Sequence, residues 1–399
     1  MTAARASAPR FPLFDSLRAI AAGTVLLFHV GFVLEGFQHP TFGRYFAQLN
    51  VGVAIFFVIS GFLLYRPFAQ ARSDRVPSPA LGPYAVRRAF RILPAFWVAL
   101  TGAAIWLDDP DVFDRPFIYY GLLQNYDVDT LSRALGHAWT LSVEITFYAF
   151  LPLLALALRR IRVSTMRGFL VSEAGVLALM FGTALVWRLT QTQTRNGFIW
   201  FTPEVASLPA FLDHFALGMG LAVASVGLAG RVRRPAVVRL VERVPVVPWT
   251  AALVLYVVMC NVGHGFADAD GETTRHLLRG AIAVLLLSPA VFGHELRTPL
   301  RRVMAWPPLL WIGVISYSLY LWHPVVARKI GGTSLDENLG WVPSAAAQIV
   351  ACVAVAAVSY YLIERPALRL SKRLVSGRGS RGGPPAGAEA GLGSPADAR

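Results

Sequence analysis

Arg18 and His29 lie eleven residues apart in an otherwise apolar stretch. At about 100° per residue, that interval is about 20° past three full turns. A helix would therefore put both on one face, about 16 Å apart along its axis. Asp15, three residues before Arg18, is placed to pair with it. A second set opens another apolar run, His137-Ala138-Trp139-Thr140-Leu141-Ser142-Val143-Glu144, and continues to Tyr148, which shares a face with Glu144. A third set closes a later run, Ser316-Tyr317-Ser318-Leu319-Tyr320-Leu321-Trp322-His323-Pro324, with Ser316, Tyr320 and His323 on one face. Two imidazoles and a carboxylate can make a general base and its orienting group. Arg87, Arg88 and Arg91 precede a further apolar run, with Arg88 and Arg91 on one face. The planar guanidinium is the side chain best suited to phosphate.

Each set also has a plainer reading. Arg18, Arg88 and Arg91 could be charges that anchor helix ends in the cytoplasm. His29 could be a hydrogen-bonded packing residue, and Glu144 one half of a structural pair. Tyr317, Tyr320 and Trp322 could belong to an interfacial aromatic belt.

The elements that must position these residues are membrane helices. Hydrophobic residues make up 55% of the 399-residue chain and charged residues only 15%, against about a quarter charged in soluble domains. Spanning helices are expected near 12–35, 50–68, 92–107, 139–158, 168–189, 207–228, 248–263, 276–293, 307–325 and 343–363. The segments 92–107 and 248–263 are short for a span. The fold class is thus all-α, a polytopic bundle of about ten helices.

Charge sets the expected orientation. The net charge is +14, nearly all from arginine, with Lys329 and Lys372 the only lysines. Arginine clusters occupy every second connection, at 66–91, 159–167, 231–243, 297–302 and 365–373, whereas the connection at 108–129 is rich in aspartate. This alternation places both termini in the cytoplasm of a multi-pass cell-membrane protein. It also puts His29, Glu144 and His323 on the outer side. No basic face is interleaved with stacking aromatics, so nucleic acid is not an expected partner. Cys260 and Cys352 lie in apolar runs, which supports neither a disulfide framework nor a cysteine metal site, and no metal is expected. The first apolar run contains Arg18 and His29 and lacks a small-residue cleavage site, unlike a signal peptide. Residues 1–366 form the expected membrane domain. Residues 367–399 form a basic, then Gly/Pro/Ala-rich tail expected to be disordered from about 376.

Six pieces, in order, carry a family resemblance. They are Phe14-Asp15-Ser16-Leu17-Arg18 running to Phe28-His29, Phe56-Phe57-Val58-Ile59-Ser60-Gly61-Phe62 and Arg87-Arg88-Ala89-Phe90-Arg91-Ile92-Leu93-Pro94. The others are Trp139-Thr140-Leu141-Ser142-Val143-Glu144, the Ser316–Pro324 run and Glu364-Arg365-Pro366. Together they resemble the membrane-bound acyltransferase-3 family, which O-acylates sugars, envelope glycans and some natural products. The resemblance implies a cytoplasmic acyl-coenzyme A donor, an essential catalytic role for His29, and donor-side roles for Arg18, Arg88 and Arg91. In the family a second carboxylate follows the one at Glu144, and here Ile145 stands in its place, so a mechanism needing two adjacent acids is not expected. Some relatives carry a C-terminal esterase-like domain. With only a short tail after Pro366, this chain is expected to act alone or with a separate partner.

The expected activity is O-acylation of a hydroxyl on a carbohydrate, envelope glycan or glycosylated metabolite. Acyl-CoA is the donor substrate, acetyl-CoA by base rate, and no cofactor is permanently bound. His29 is the expected base, Glu144 its orienting group and His323 a further catalytic residue. Trp139, Ser142 and Tyr320 are the expected substrate contacts. The alternative is a transporter of a glycan or lipid that uses the same intramembrane polar residues as a binding path.

Overall fold

The computed structural model describes residues 13–133, 135–191, 194–195, 198–199, 202–229, 231, 233–263, 271–293, 298–331 and 340–379. Its principal helices are α1 (Leu13–Val33), α2 (Val51–Ser73), α3 (Leu81–Leu107), α4 (Trp139–Arg159), α5 (Met166–Gln191) and α6 (Leu212–Gly227). They continue with α7 (Ala236–Arg243), α8 (Val246–Met259), α9 (Glu272–Phe292), α10 (Pro307–Ile330), α11 (Trp341–Ser359) and α12 (Arg365–Gly379). Between α5 and α6 a two-residue antiparallel ladder pairs Thr194 with Ile199 and Arg195 with Phe198.

Among the described residues, nine helical stretches are long and apolar enough to cross a membrane. A tenth is added if α7 and α8, bent by 97° at their junction, make one span. This matches the expected count, and most segment edges agree to within a few residues. The span expected at 92–107 is the exception. It begins at Leu81, which makes it 27 residues long, and Arg87, Arg88 and Arg91 sit on the helix itself rather than before it. Three arginines lower the local hydropathy, but arginine is a good helix former. The span expected at 248–263 remains short, because α8 has only 14 residues. The basic first part of the expected tail is helical, with α12 running through Gly379. Residues 1–12 and 380–399, and Arg297 of one basic cluster, lie outside the described residues.

Close backbone approach sets how the site-bearing helices run. Phe62 of α2 stacks on Phe14 of α1 at 5.0 Å, while Gly52 faces Ala21 and Thr24, so the two helices are antiparallel. Gly313 of α10 lies against the Asp15 carbonyl and His323 against His29, so α10 runs parallel to α1. A Cβ at Gly313 would collide with that carbonyl, and small residues are how membrane helices reach such closeness. Tyr317 of α10 bonds the Ile92 carbonyl of α3, and Trp322 covers Gly102 further along. α4 runs the other way, with Thr140 at Tyr320 and the Tyr148 carbonyl at Tyr84. The bundle therefore has one end marked by Arg18, Arg91 and Tyr317 and another marked by His29, His137 and His323.

One irregularity shapes the first end. A π-helical turn at Tyr360–Glu364 interrupts the continuous helix from α11 into α12. It delivers the Glu364 carboxylate to Arg91 Nη1 at 2.6 Å and to the Ser318 hydroxyl at 2.9 Å. π-bulges of this kind are frequent at functional sites.

Candidate active site

His29 of α1 and His323 of α10 form a dyad, with His323 Nε2 3.0 Å from His29 Nδ1. Each ring also reaches the carbonyl four residues earlier in its own helix: His29 Nδ1 lies 2.9 Å from Val25 O, and His323 Nδ1 3.0 Å from Leu319 O. These contacts assign the tautomers. A carbonyl only accepts, so both Nδ1 atoms carry hydrogen, and the lone pair of His323 sits on Nε2. That lone pair accepts from His29 Nδ1–H, which leaves His29 Nε2 as an unprotonated base atom. His323 is buried and His29 half-buried, so the free nitrogen belongs to the more accessible ring.

A third imidazole completes the group. His137 stands in the short helical turn Gly136–Ala138 ahead of α4. Its ring is 5.3 Å from that of His323 and 6.1 Å from that of His29. Its Nε2 is buried without a hydrogen-bond partner. No role was expected for His137, although it heads the polar set that runs to Glu144. Its signal was a third histidine at the same end of the bundle.

The arginines gather around a separate cavity of about 100 Å³. Its walls include Arg18, Ser60, Arg88, Arg91, Thr140, Glu144, Tyr148, Ser316, Tyr317 and Tyr320. Arg18 is held by Asp15 at 2.9 Å and Arg91 by Glu364, whereas Arg88 lies over the Tyr148 ring at 5.8 Å with its Nε buried and unpartnered. Of these three, Arg88 is the one with a buried nitrogen left without a partner.

Glu144 belongs to this cavity and not to the histidines. Its carboxylate accepts a hydrogen bond from the Ser60 hydroxyl of α2, while the partners of His29 are Val25 O and His323. The expected Glu144–His29 pair is thus replaced by the imidazole dyad. The cause is depth: Glu144 lies four residues past Thr140 on α4, about 6 Å further toward the arginine end. Ser60 lies within the Phe56–Phe62 motif, but nothing in sequence spacing links α2 to α4.

Tyr320 belongs to both groups. Its hydroxyl lies 2.5 Å from both Thr140 Oγ1 and the His137 carbonyl, and its ring is 5.1 Å from that of His137. It also lines the cavity, so it stands between the arginines and the histidines. Trp139 and Ser142 do not line that cavity. Trp139 packs on Phe211 at 5.3 Å, and the Ser142 hydroxyl is buried without a partner.

A second polar cluster went unnoticed in the sequence. Asp213, His214 and His276 are buried with potential ligand atoms within 4.8 Å of one another. His276 Nε2 meets Asp213 Oδ2 at 2.7 Å, and the two histidine rings stack at 4.2 Å. Beside them, Glu272 binds Arg188, Arg275 and Arg279. Three guanidiniums face two carboxylates, and that excess of positive charge opposes a divalent cation.

Residues 12–364 match the family described as Acyltransferase domain. The chain belongs to the acyltransferase-3 family. It is 25% identical over 381 residues to the putative peptidoglycan O-acetyltransferase YrhL of Bacillus subtilis, covering 89% of this chain and 54% of that protein. It is 24% identical over 383 residues to the peptidoglycan O-acetyltransferase OatA of Listeria monocytogenes, covering 89% of this chain and 55% of that protein. The chain thus spans about half the length of these two relatives. The exopolysaccharide production protein ExoZ of Rhizobium meliloti is 27% identical over 352 residues, covering 85% of this chain and 96% of ExoZ. No solved structure matches the chain significantly.

Proposed function

We propose that the protein takes an acyl group, acetyl in the first instance, from acyl-CoA at the arginine end of the bundle and gives it to a carbohydrate hydroxyl at the histidine end. The observation that carries this reading is the free Nε2 of His29, oriented by His323 and one side chain away from an arginine-lined cavity. The arginine end is the cytoplasmic one, as the alternating basic connections indicate. The names of YrhL, OatA and ExoZ point toward envelope or secreted glycans as acceptors.

Arg88, with Arg91 and Arg18 beside it, holds coenzyme A phosphates by charge-assisted hydrogen bonds. The pantetheine arm follows the cavity, where Glu144 offsets part of the arginine charge, and brings the thioester to Tyr320. The acceptor hydroxyl gives its proton to His29 Nε2 as its oxygen bonds to the thioester carbon. The C–S bond then breaks, and the coenzyme A sulfur recovers the proton from His29. His323 contributes by accepting the Nδ1–H bond that fixes the ring and strengthens as imidazolium forms. A positioned base is worth about 10²–10⁴-fold.

The test is acetyl transfer by purified His29→Ala and His29→Gln variants at matched levels of folded protein. Both should lose about 100-fold or more, because glutamine cannot take up and release a proton. Coenzyme A binding should persist in both. A fully active His29→Gln enzyme would reject His29 as the base and return it to packing.

A further inference from the structure

We propose that an acidic phospholipid seats a hydrocarbon chain in a cavity behind α1 and rests its phosphate on Arg44. The proposal is independent of the acyl-transfer reading, because this cavity lies on the far side of the helix that carries His29.

The first ground is the cavity itself. It encloses about 430 Å³ between α1, α2, α8 and α9, with Ile20 and Thr24 as its α1 wall. At about 100° per residue these two lie about 200–240° around the helix from Arg18, whereas His29 lies about 20° from it. The seat is therefore separate from the arginine cavity and from the imidazole dyad. Leu253, midway along α8, lines the cavity and is 62% exposed, so the opening is on the outside of the bundle. In a bilayer that opening faces hydrocarbon.

The second ground is that the hydrogen-bond donors of the wall are already engaged. Thr24 Oγ1 donates to Ala21 O at 2.9 Å and Thr250 Oγ1 to Val246 O at 3.0 Å. The Trp249 indole N–H donates to Leu286 O at 3.2 Å, and the Tyr256 hydroxyl to Tyr45 O at 2.6 Å. The remaining lining side chains are aliphatic. A sugar or a nucleotide placed here would find no donor to replace its lost water, whereas a methylene chain asks for none.

The third ground is the charge at the rim. Arg44 precedes Tyr45 in the connection from α1 to α2, at the histidine end of the bundle. Its Nη1 donates to Asn261 Oδ1 at 2.7 Å, and its guanidinium lies over the Tyr45 ring at 5.7 Å. Asn261 stands just past the end of α8, five residues beyond Tyr256. Among the described residues Arg44 forms no ion pair, whereas Arg115, Arg188, Arg275 and Arg279 at the same end each pair with a carboxylate. Arg44 is exposed, and a phosphate is the anion its planar fork fits best.

The fourth ground is length. The 14 residues of α8 span about 21 Å, against a hydrocarbon core of about 30 Å. A bilayer thins beside a short span. Thinning brings the headgroups of that leaflet toward the end of α8, where Arg44 stands, and lets the chain run down the cavity toward Trp249.

The test uses Trp249, at the end of the cavity away from Arg44, as the reporter. Purified protein is reconstituted in mixed vesicles of phosphatidylcholine and phosphatidylglycerol, with the chains of one lipid or the other brominated so that they quench a nearby indole. The Trp249 signal is the part of the emission missing in Trp249→Phe. In the wild type, phosphatidylglycerol should be preferred at this position by about fivefold or more, the share of one arginine near a headgroup. Arg44→Gln, a change at an exposed site, should abolish the preference. Ala252→Phe, which fills the cavity, should shield Trp249 from both lipids. Equal quenching by the two lipids in the wild type overturns the proposal and leaves the cavity filled by bulk lipid only. A preference that survives Arg44→Gln overturns the phosphate site, and quenching that survives Ala252→Phe overturns the chain site.

Discussion

Glu364→Gln removes one charge from a buried pair with little change in side-chain shape. Glu364 is fully buried, Arg91 is 27% exposed, and their contact is 2.6 Å. Deleting one member of a buried pair costs about 3–5 kcal/mol, because the other charge is left without its counter-ion. Two features place the expectation near the lower limit, at about 3 kcal/mol. The amide oxygen can still accept from Ser318, and the Arg91 guanidinium retains the Tyr317 ring at 5.7 Å. The assay is reversible unfolding in mixed micelles, followed by tryptophan fluorescence. The same reasoning makes a second demand. Replacing both residues by leucine should restore most of the lost stability, since an apolar pair avoids the desolvation of both charges. It should not restore coenzyme A binding, which needs the guanidinium end intact. A Glu364→Gln loss below about 1 kcal/mol, or a double variant no more stable than the single, would refute the claim that this pair is a low-dielectric contact.

Arg88→Met should weaken coenzyme A binding by about 1.5–3 kcal/mol in calorimetry, the range for a hydrogen bond to a charged group; unchanged affinity would leave Arg88 a helix-end anchor. Tyr320→Phe removes the hydroxyl that bonds both Thr140 and the His137 carbonyl. Free thiol released from acetyl-CoA without acceptor should therefore rise relative to transfer, and an unchanged ratio would show that Tyr320 does not divide the two chambers. Cysteine placed at Asp114 should react with an impermeant reagent added outside intact cells, and cysteine at Arg75 only after lysis; the reverse pattern would invert the orientation and move the base to the cytoplasm.

Much of the fold was legible because lipid imposes one dominant pattern, long apolar helices with arginine on alternate connections. The pattern failed where charge sits on the helix itself, as with Arg87, Arg88 and Arg91 in α3. It was also silent on the sharp bend between α7 and α8, which depends on local geometry rather than hydropathy. In the site, spacing correctly placed Arg18 and His29 on one helix and put His29 and His323 at the same end. It could not decide which side chains meet. Glu144 was assigned to His29 from shared depth alone, yet a difference of about 6 Å along α4 gave it to Ser60 instead. The Arg91–Glu364 pair required two residues 273 positions apart and a π-helical turn, and neither leaves a trace in periodicity.

The position of Tyr320 has an electrical consequence. The arginines that would hold the nucleotide phosphates lie on one side of it and the base on the other. In the proposed reaction, what passes this point is an acyl group, which carries no net charge. Moving one elementary charge across a membrane potential involves about 2.3 kcal/mol per 100 mV. A carrier that shuttled the whole anionic donor would feel that term several times over, and its rate would follow the voltage. Here the charged portion never leaves its own side, so the field across the membrane does no work on the transferred group. Transfer in sealed vesicles should proceed at the same rate whether valinomycin sets a potential across a potassium gradient or is added with equal potassium on both sides.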